Sequence, residues 1–436
     1  MRVKVAPISN VRWRMLALVM GFAMLGHFNR ISMSVAGTER IMGDLRISET
    51  TMGWVYTTYL IVYTCAMTPG GWLIDRAGPR WALTIMGAGA ALGVALTGGV
   101  GLLLPAGALL GGLLLARAVT GIANAPLHPG SARVVSLWIP GVLQSRANGM
   151  VTAAALVGIS AAFPLFGAMI DRFGWPMAFL ISGSATAVLA LVWAVYARDR
   201  PALHSGVSPT ELALVTQDAG AATPPPGDAE PWWKLLKNRN LALLTGSYAA
   251  IGYVEYLFFY WMEHYFKDVL HLSTPMSRTY SMIASLAMAA GMAAGGWIAD
   301  WCQARMGVRR GRPVVPVVGM LVGAVLVTLG ASTGDPILVL VLFSLGLAAV
   351  GATEGPFWTT AIQLGGRHGG TSGAIFNTGG NIGGLLAPVI TPLFSKVAGW
   401  QGSIFLAAVI SVIGAALWRW LDPVTDPDGH PADQRA

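Results

Sequence analysis

Long apolar stretches joined by short polar turns make up most of the chain, and they lack the apolar–polar alternation of membrane barrel strands. A helix needs about 20 apolar residues to cross a bilayer core roughly 30 Å thick. The pattern predicts twelve such helices, over residues 13–36, 51–73, 81–104, 107–130, 146–170, 176–197, 240–264, 277–300, 313–332, 336–360, 370–395 and 400–420. An even number of crossings puts both ends of the chain on one side.

One long polar segment, 198–239, divides six helices from six, which predicts three regions: 1–197, the linker 198–239, and 240–436 with a short tail. Its Thr223-Pro224-Pro225-Pro226-Gly227-Asp228 reads as linker, and Ser208-Pro209-Thr210-Glu211 has the spacing of a capping box that starts a short helix. The halves repeat. Gly70-Gly71-Trp72-Leu73-Ile74-Asp75 returns as Gly295-Gly296-Trp297-Ile298-Ala299-Asp300, and Gly174-Trp175 returns as Gly399-Trp400, both 225 residues on. The reading is an all-α membrane protein of two pseudo-symmetric six-helix bundles, a design in which substrate sits between the halves near the midplane and rocking gives alternating access.

Composition fits lipid as the solvent: 54% of residues are hydrophobic and 11% charged, against roughly 25% charged in a soluble domain. The 55 glycines lie largely inside apolar runs, where small residues let helix backbones approach. A net charge of +8 raises the question of a nucleic-acid surface, and the placement of the charge answers it. With the N-terminus in the cytoplasm, 20 of the 28 Lys and Arg fall in cytoplasmic segments and 6 in outer loops, as the positive-inside rule requires. The charge therefore expresses topology, and no nucleic-acid partner is predicted. Arg2, Lys4, Arg12 and Arg14 before an apolar run resemble a secretory signal, but the run lacks a clean cleavage pattern and contains Asn29 and Arg30, so it reads as a retained first helix. The expected location is a bacterial inner membrane, crossed many times, with both termini cytoplasmic. Cys65 and Cys302 imply neither a disulfide framework nor a metal site.

Gly70-Gly71-Trp72-Leu73-Ile74-Asp75-Arg76-Ala77-Gly78-Pro79-Arg80, closing the second span, resembles the G-x-L-x-D-R-x-G-x-R loop of the major facilitator superfamily. The resemblance implies a conformational latch built on Asp75, Arg76 and Arg80. Further residues are similar to one branch, the anion:cation symporters, which includes sugar-acid carriers and vesicular and phosphate-type organic-anion carriers. They are Phe28-Asn29-Arg30, Tyr63, Arg117 leading to Asn124-Ala125-Pro126, Trp138-Ile139-Pro140, Phe357-Trp358 and Asn377-x-x-Gly380-Asn381. Proton-coupled members of that branch generally carry Asp just before the first-span Arg and an acid where Asn124 stands. Both positions are Asn in this chain. The resemblance thus implies the anion site and departs from the usual proton route.

Arg30 and Arg117 lie within apolar spans, where an arginine costs at least about 2.5 kcal/mol. Such a cost points to a use: the guanidinium is always charged, and its planar fork can hold a carboxylate through two hydrogen bonds. The blander readings are snorkelling for Arg30 and a structural buried pair for Arg117. Glu255 and Glu354 are the acids placed deepest in the second half, and Glu354-Gly355-Pro356 stands in the repeat setting of Asn124-Ala125-Pro126. Burial and a nearby Arg pull a carboxyl in opposite directions, so both acids are candidates for proton coupling. His27 and His128 read as packing residues. Tyr59 and Tyr63 share a helix face, as do Tyr256 and Tyr260. Tyr63 and Tyr256 are assigned to substrate, together with Asn29, Asn124, Trp358, Asn377 and Asn381 as stacking and hydrogen-bonding groups.

No paired carboxylates, metal-spaced His/Cys cluster or phosphate loop with its Lys-Ser/Thr ending is convincing in the sequence, so no enzyme, cofactor or metal is predicted. The expectation is a monomeric secondary active transporter in the lipid bilayer. Its substrate is a small organic anion such as a sugar acid, hydroxy acid or monocarboxylate, and a proton is the co-transported partner. Exchange, sodium coupling, facilitated diffusion and a non-transporting sensor are the alternatives.

Overall fold

Within a bilayer every backbone N–H and C=O must find its partner inside the chain, and a helix does this locally. The computed structural model describes residues 9–216, 232–365 and 369–423, and every regular element among them is helical. The long helices are α1 (Val11–Ala36), α2 (49–77), α3 (79–103), α4 (Ala106–Asn124, resuming as Leu127–Trp138) and α5 (Gly141–Ala161, continuing through a wide turn at Ala162–Phe166 into Gly167–Phe173). Then come α6 (Trp175–Tyr196), α7 (Arg239–His264), α8 (Thr274–Met306), α9 (Val314–Ser332), α10 (Pro336–Gly351, resuming as Glu354–Leu364), α11 (369–398) and α12 (400–417). They are the twelve helices that the apolar pattern predicts.

Ten segments among the described residues are long and apolar enough to cross a membrane, and one of these, 371–420, holds both α11 and α12. The helix at 49–77 is not among the ten, because its many Thr and Tyr residues dilute the hydropathy. Large apolar side chains stand exposed on both halves, among them Leu115, Leu191, Val195, Trp297, Ile337 and Val397. The protein is a multi-pass membrane protein.

Proline explains the interruptions of α4, α5 and α10. Pro lacks an N–H and its ring crowds the carbonyl four residues back. The helix α4 breaks at Ala125-Pro126, α10 breaks at Ala352-Thr353 just ahead of Pro356, and the wide turn in α5 contains Pro164. Glycine explains the elbows. Gly78, Gly174, Gly307 and Gly399 have φ of 76°, 76°, 74° and 71° with ψ of 158°, 158°, 163° and 173°, a region that is essentially glycine-only. They turn α2 into α3, α5 into α6, α8 into the short helix before α9, and α11 into α12. The same backbone device therefore serves each half twice.

The chain forms two compact units, Met1–Ala36 with Thr58–Gly227, and Gly37–Thr57 with Asp228–Ala436. In the first, Met15, Val19, Phe22, Leu83, Met86, Val134, Trp138 and Trp193 pack into one core. Gly158 lies against the Met24 carbonyl and Gly121 against the Tyr59 carbonyl, so that any side chain at either glycine would collide with backbone. In the second, Gly252 meets Gly380 and Gly383 meets Ala249 in the same way, the close approach expected of membrane helices.

The polar connection has a structured start. Ser208 Oγ accepts from the Glu211 N–H at 3.2 Å and opens the helix Pro209–Thr216. Glu211 does not complete the box. Its buried carboxylate accepts from the backbone N–H groups of Val11 and Arg12 and from the Arg12 guanidinium, while Ser9 Oγ takes the Ser208 N–H. The connection is thereby tied to the start of α1. The Thr223–Asp228 stretch lies outside the described residues.

Candidate functional site

In the first unit, Arg30 on α1 is 8% exposed and Arg117 on α4 is 2% exposed. Both guanidinium groups lie on the ring of Tyr59 on α2, with Cζ 5.5 Å and 4.6 Å from its centroid. Tyr63, one turn further along α2, stacks on Tyr59 at 5.8 Å with the rings 11° apart. Two buried cations thus share one aromatic ring. The ring stabilises each cation through its quadrupole without neutralising either.

Both Asn side chains have partners within the first unit. Asn29 donates to Thr186 Oγ1 at 2.9 Å and accepts a hydrogen bond from Ser182, so α6 occupies both ends of its amide. Asn124 donates to the Thr120 carbonyl of its own helix at 2.9 Å, and its oxygen sits against Gly26 of α1. His27 donates from Nδ1 to the Ala23 carbonyl and meets His128 edge to face, with centroids 5.3 Å apart.

In the second unit, the carboxylate of Glu354, which opens the second part of α10, accepts from Tyr248 Oη at 3.0 Å and from Trp358 Nε1 at 3.2 Å. Tyr248 stacks on Phe376 of α11 at 4.0 Å, and Phe357 and Trp358 also pack on Phe376. Glu255 and Tyr256 lie within electrostatic range of Tyr248. Glu354, Glu255, Tyr256 and Trp358 thus gather around Tyr248. Tyr256 leans on Phe259 and Tyr260 of its own helix. Asn381 is buried and Asn377 half-buried on α11.

Arg80, expected in a latch, is laced into its own unit. Its guanidinium donates to the Ala194 carbonyl at 2.8 Å, its N–H to Asp199 at 2.9 Å, and its carbonyl accepts from Trp193 Nε1 at 2.9 Å. Arg76 is exposed, and the side chain of Asp75 lies outside the described residues.

Two central residues escape sequence reasoning. Tyr59 shares a face with Tyr63, but nothing in the spacing says that it, rather than Tyr63, would carry both cations. Tyr248 lies two turns before Tyr256 on α7 and could have been found from that spacing. A third, Glu263, is fully buried, more so than Glu255, although its place at the end of a span suggests an exposed residue.

Comparison with known proteins agrees with this architecture. A D-galactonate transporter of Escherichia coli is 26% identical over 432 residues, covering 93% of this chain and 94% of its own. The protein named "Probable sulfoacetate transporter SauU" in Cupriavidus necator is 23% identical over 416 residues, covering 94% of each chain. Among solved structures, a bacterial homologue of the human lysosomal transporter Spinster, inward-facing, superposes with a TM-score of 0.75 at 17% identity, over 94% of this chain and 97% of that one. The xylose transporter XylE of E. coli gives 0.72 at 13% identity, over 94% and 98%. At those identities the structures speak for the fold alone. The model of the Major Facilitator Superfamily matches residues 16–387, from α1 into α11, and the chain belongs to that family.

Proposed function

We propose that the protein is a secondary carrier of a small organic anion, most simply a sugar acid or another short carboxylate. The observation that carries this reading is the convergence of Arg30 and Arg117 on Tyr59. Two buried forks offer paired hydrogen bonds to an acid group, and Tyr63 supplies an aromatic wall for an organic body. D-galactonate and sulfoacetate, for which two of its relatives are named, are organic acids. Glu354, with Glu255 near it, is the proton-coupling group of this reading, and Trp358, Tyr256, Asn377 and Asn381 supply contacts in the second unit. The protein acts as a monomeric carrier, without enzymatic chemistry, in a bacterial inner membrane with both termini cytoplasmic.

The test is uptake of labelled D-galactonate, D-glucarate and sulfoacetate into proteoliposomes, with and without an inward proton gradient, for wild type, Arg117→Ala and Glu354→Gln. The expected result is gradient-driven accumulation of at least one acid, lost in Arg117→Ala and uncoupled from the gradient in Glu354→Gln. Uptake that survives Arg117→Ala would overturn the anion site. Exchange is the second reading, favoured by Asn at positions 29 and 124, where related proton-coupled carriers have acids. It predicts uptake indifferent to the gradient and stimulated by acid loaded inside.

A further inference from the structure

The turn that joins α1 to α2 carries a buried ionic cluster outside the site described above. Glu39, on the wide turn Gly37–Ile41, is gripped in bidentate fashion by Arg278 of α8. Arg278 Nε donates to Oε1 at 2.6 Å and Nη2 to Oε2 at 2.7 Å, with both side chains more than nine-tenths buried. Glu263 of α7 lies within electrostatic range of the same Glu39 carboxylate. It is 0% exposed, and neither of its oxygens receives an N–H or O–H from the described residues. Lys267, one turn on, donates to the Thr38 carbonyl at 3.0 Å and is the other cation within electrostatic range. Beside the cluster, His264 bridges Glu49 at 3.1 Å and Asp268 at 3.0 Å.

Two ionised carboxylates in one buried space repel, and neither can donate to the other, because ionised oxygens only accept. A fully buried carboxylate without a donor is also too costly to hold. One proton resolves both difficulties. The Glu263 O–H then donates to Glu39, and Glu39 keeps its negative charge for Arg278. The same cluster fastens the segment 37–57 to α7, the turn after it and α8. That segment also stacks Tyr56 on Tyr260 at 4.8 Å, donates from Thr57 Oγ1 to the Leu385 carbonyl at 3.0 Å, and packs Gly53 on the Pro388 carbonyl.

We propose that the Glu39–Glu263 carboxyl pair is a proton-binding site, separate from Glu354, and that its single proton docks the segment 37–57 on α7 and α8. Loss of the proton sets two carboxylates side by side in a buried space, and the segment then parts from the helices. The inference rests on the carrier reading only for its purpose, which is to let proton occupancy govern a step of transport.

The test needs no transported substrate. Full-length protein in lipid nanodiscs is titrated while the infrared C=O stretch of protonated carboxyl groups is followed. In parallel, the maleimide reactivity of Thr57→Cys is measured in a Cys65→Ser/Cys302→Ser background. Wild type should show a titrating carboxylic-acid band that is lost in Glu263→Gln and kept in Glu354→Gln. Thr57→Cys should become more reactive as pH rises, and Glu263→Gln should abolish that rise, since its amide still donates to Glu39. An undiminished band in Glu263→Gln, an unchanged pH dependence of labelling, or no acid band in wild type would overturn the proposal. If Glu263→Gln fails to fold, the acid band of Glu354→Gln and the pH dependence of Thr57→Cys labelling decide the matter. Failure of acid uptake leaves these readouts standing, and gradient-driven uptake with no acid band sinks this site alone.

Discussion

Arg30 and Arg117 share the ring of Tyr59, and in the proposed anion site that ring steadies both cations. The ring's part can be separated from that of the hydroxyl. Tyr59→Phe keeps the quadrupole and should transport like wild type. Tyr59→Leu removes it, and a cation–π loss of about 0.5–2 kcal/mol corresponds to a KM raised about twofold to thirtyfold. Initial rates of acid uptake against concentration check this, and equal KM values for Phe and Leu would show that the ring does nothing for the cations. The arginines are legible in the sequence because a charge inside an apolar run is conspicuous. Their shared ring is not, because periodicity gives a helix face and not the neighbour that face meets. Asn29 is the converse case: its partners Ser182 and Thr186 lie on α6, more than 150 residues away, so its amide reads as available until the helices are packed.

At the scale of elements, the apolar pattern locates every helix but not every end, the fourth running on from 130 to Trp138, while the interruptions follow from particular backbone constraints. The repeat of Gly174-Trp175 as Gly399-Trp400 is visible in the sequence, and both glycines make the same elbow. The match of Gly78 to Gly307 is hidden, because Gly307 lies seven residues after Asp300 and Gly78 only three after Asp75. Gly399 isolates the strain, since a Cβ there would touch nothing within 4 Å. Gly399→Ala should therefore lower stability through backbone conformation alone, by roughly 1–3 kcal/mol. Gly296, helical and equally open, is the control, where Ala should be neutral or add up to about 1 kcal/mol. Melting of the two variants in detergent measures the difference, and a Gly399→Ala midpoint at or above that of wild type would mean that the elbow tolerates a side chain.

For the whole molecule, the fold was written in hydrophobicity, repeat and charge placement, whereas the second unit's polar group around Tyr248 emerges only once α7, α10 and α11 are packed together. Charge placement makes one further commitment. If 20 of the 28 Lys and Arg face the cytoplasm, the α6–α7 connection lies inside and the α9–α10 turn outside. Leu203 and Gly334 are exposed representatives of these two connections. In a Cys65→Ser/Cys302→Ser background, Gly334→Cys should react with an impermeant maleimide on intact cells, and Leu203→Cys only after permeabilisation. The reverse pattern would put most of the cations outside and refute the orientation. It would also move the Glu39–Glu263 pair to the cytoplasmic end, so that its proton would exchange with the cell interior instead of the medium.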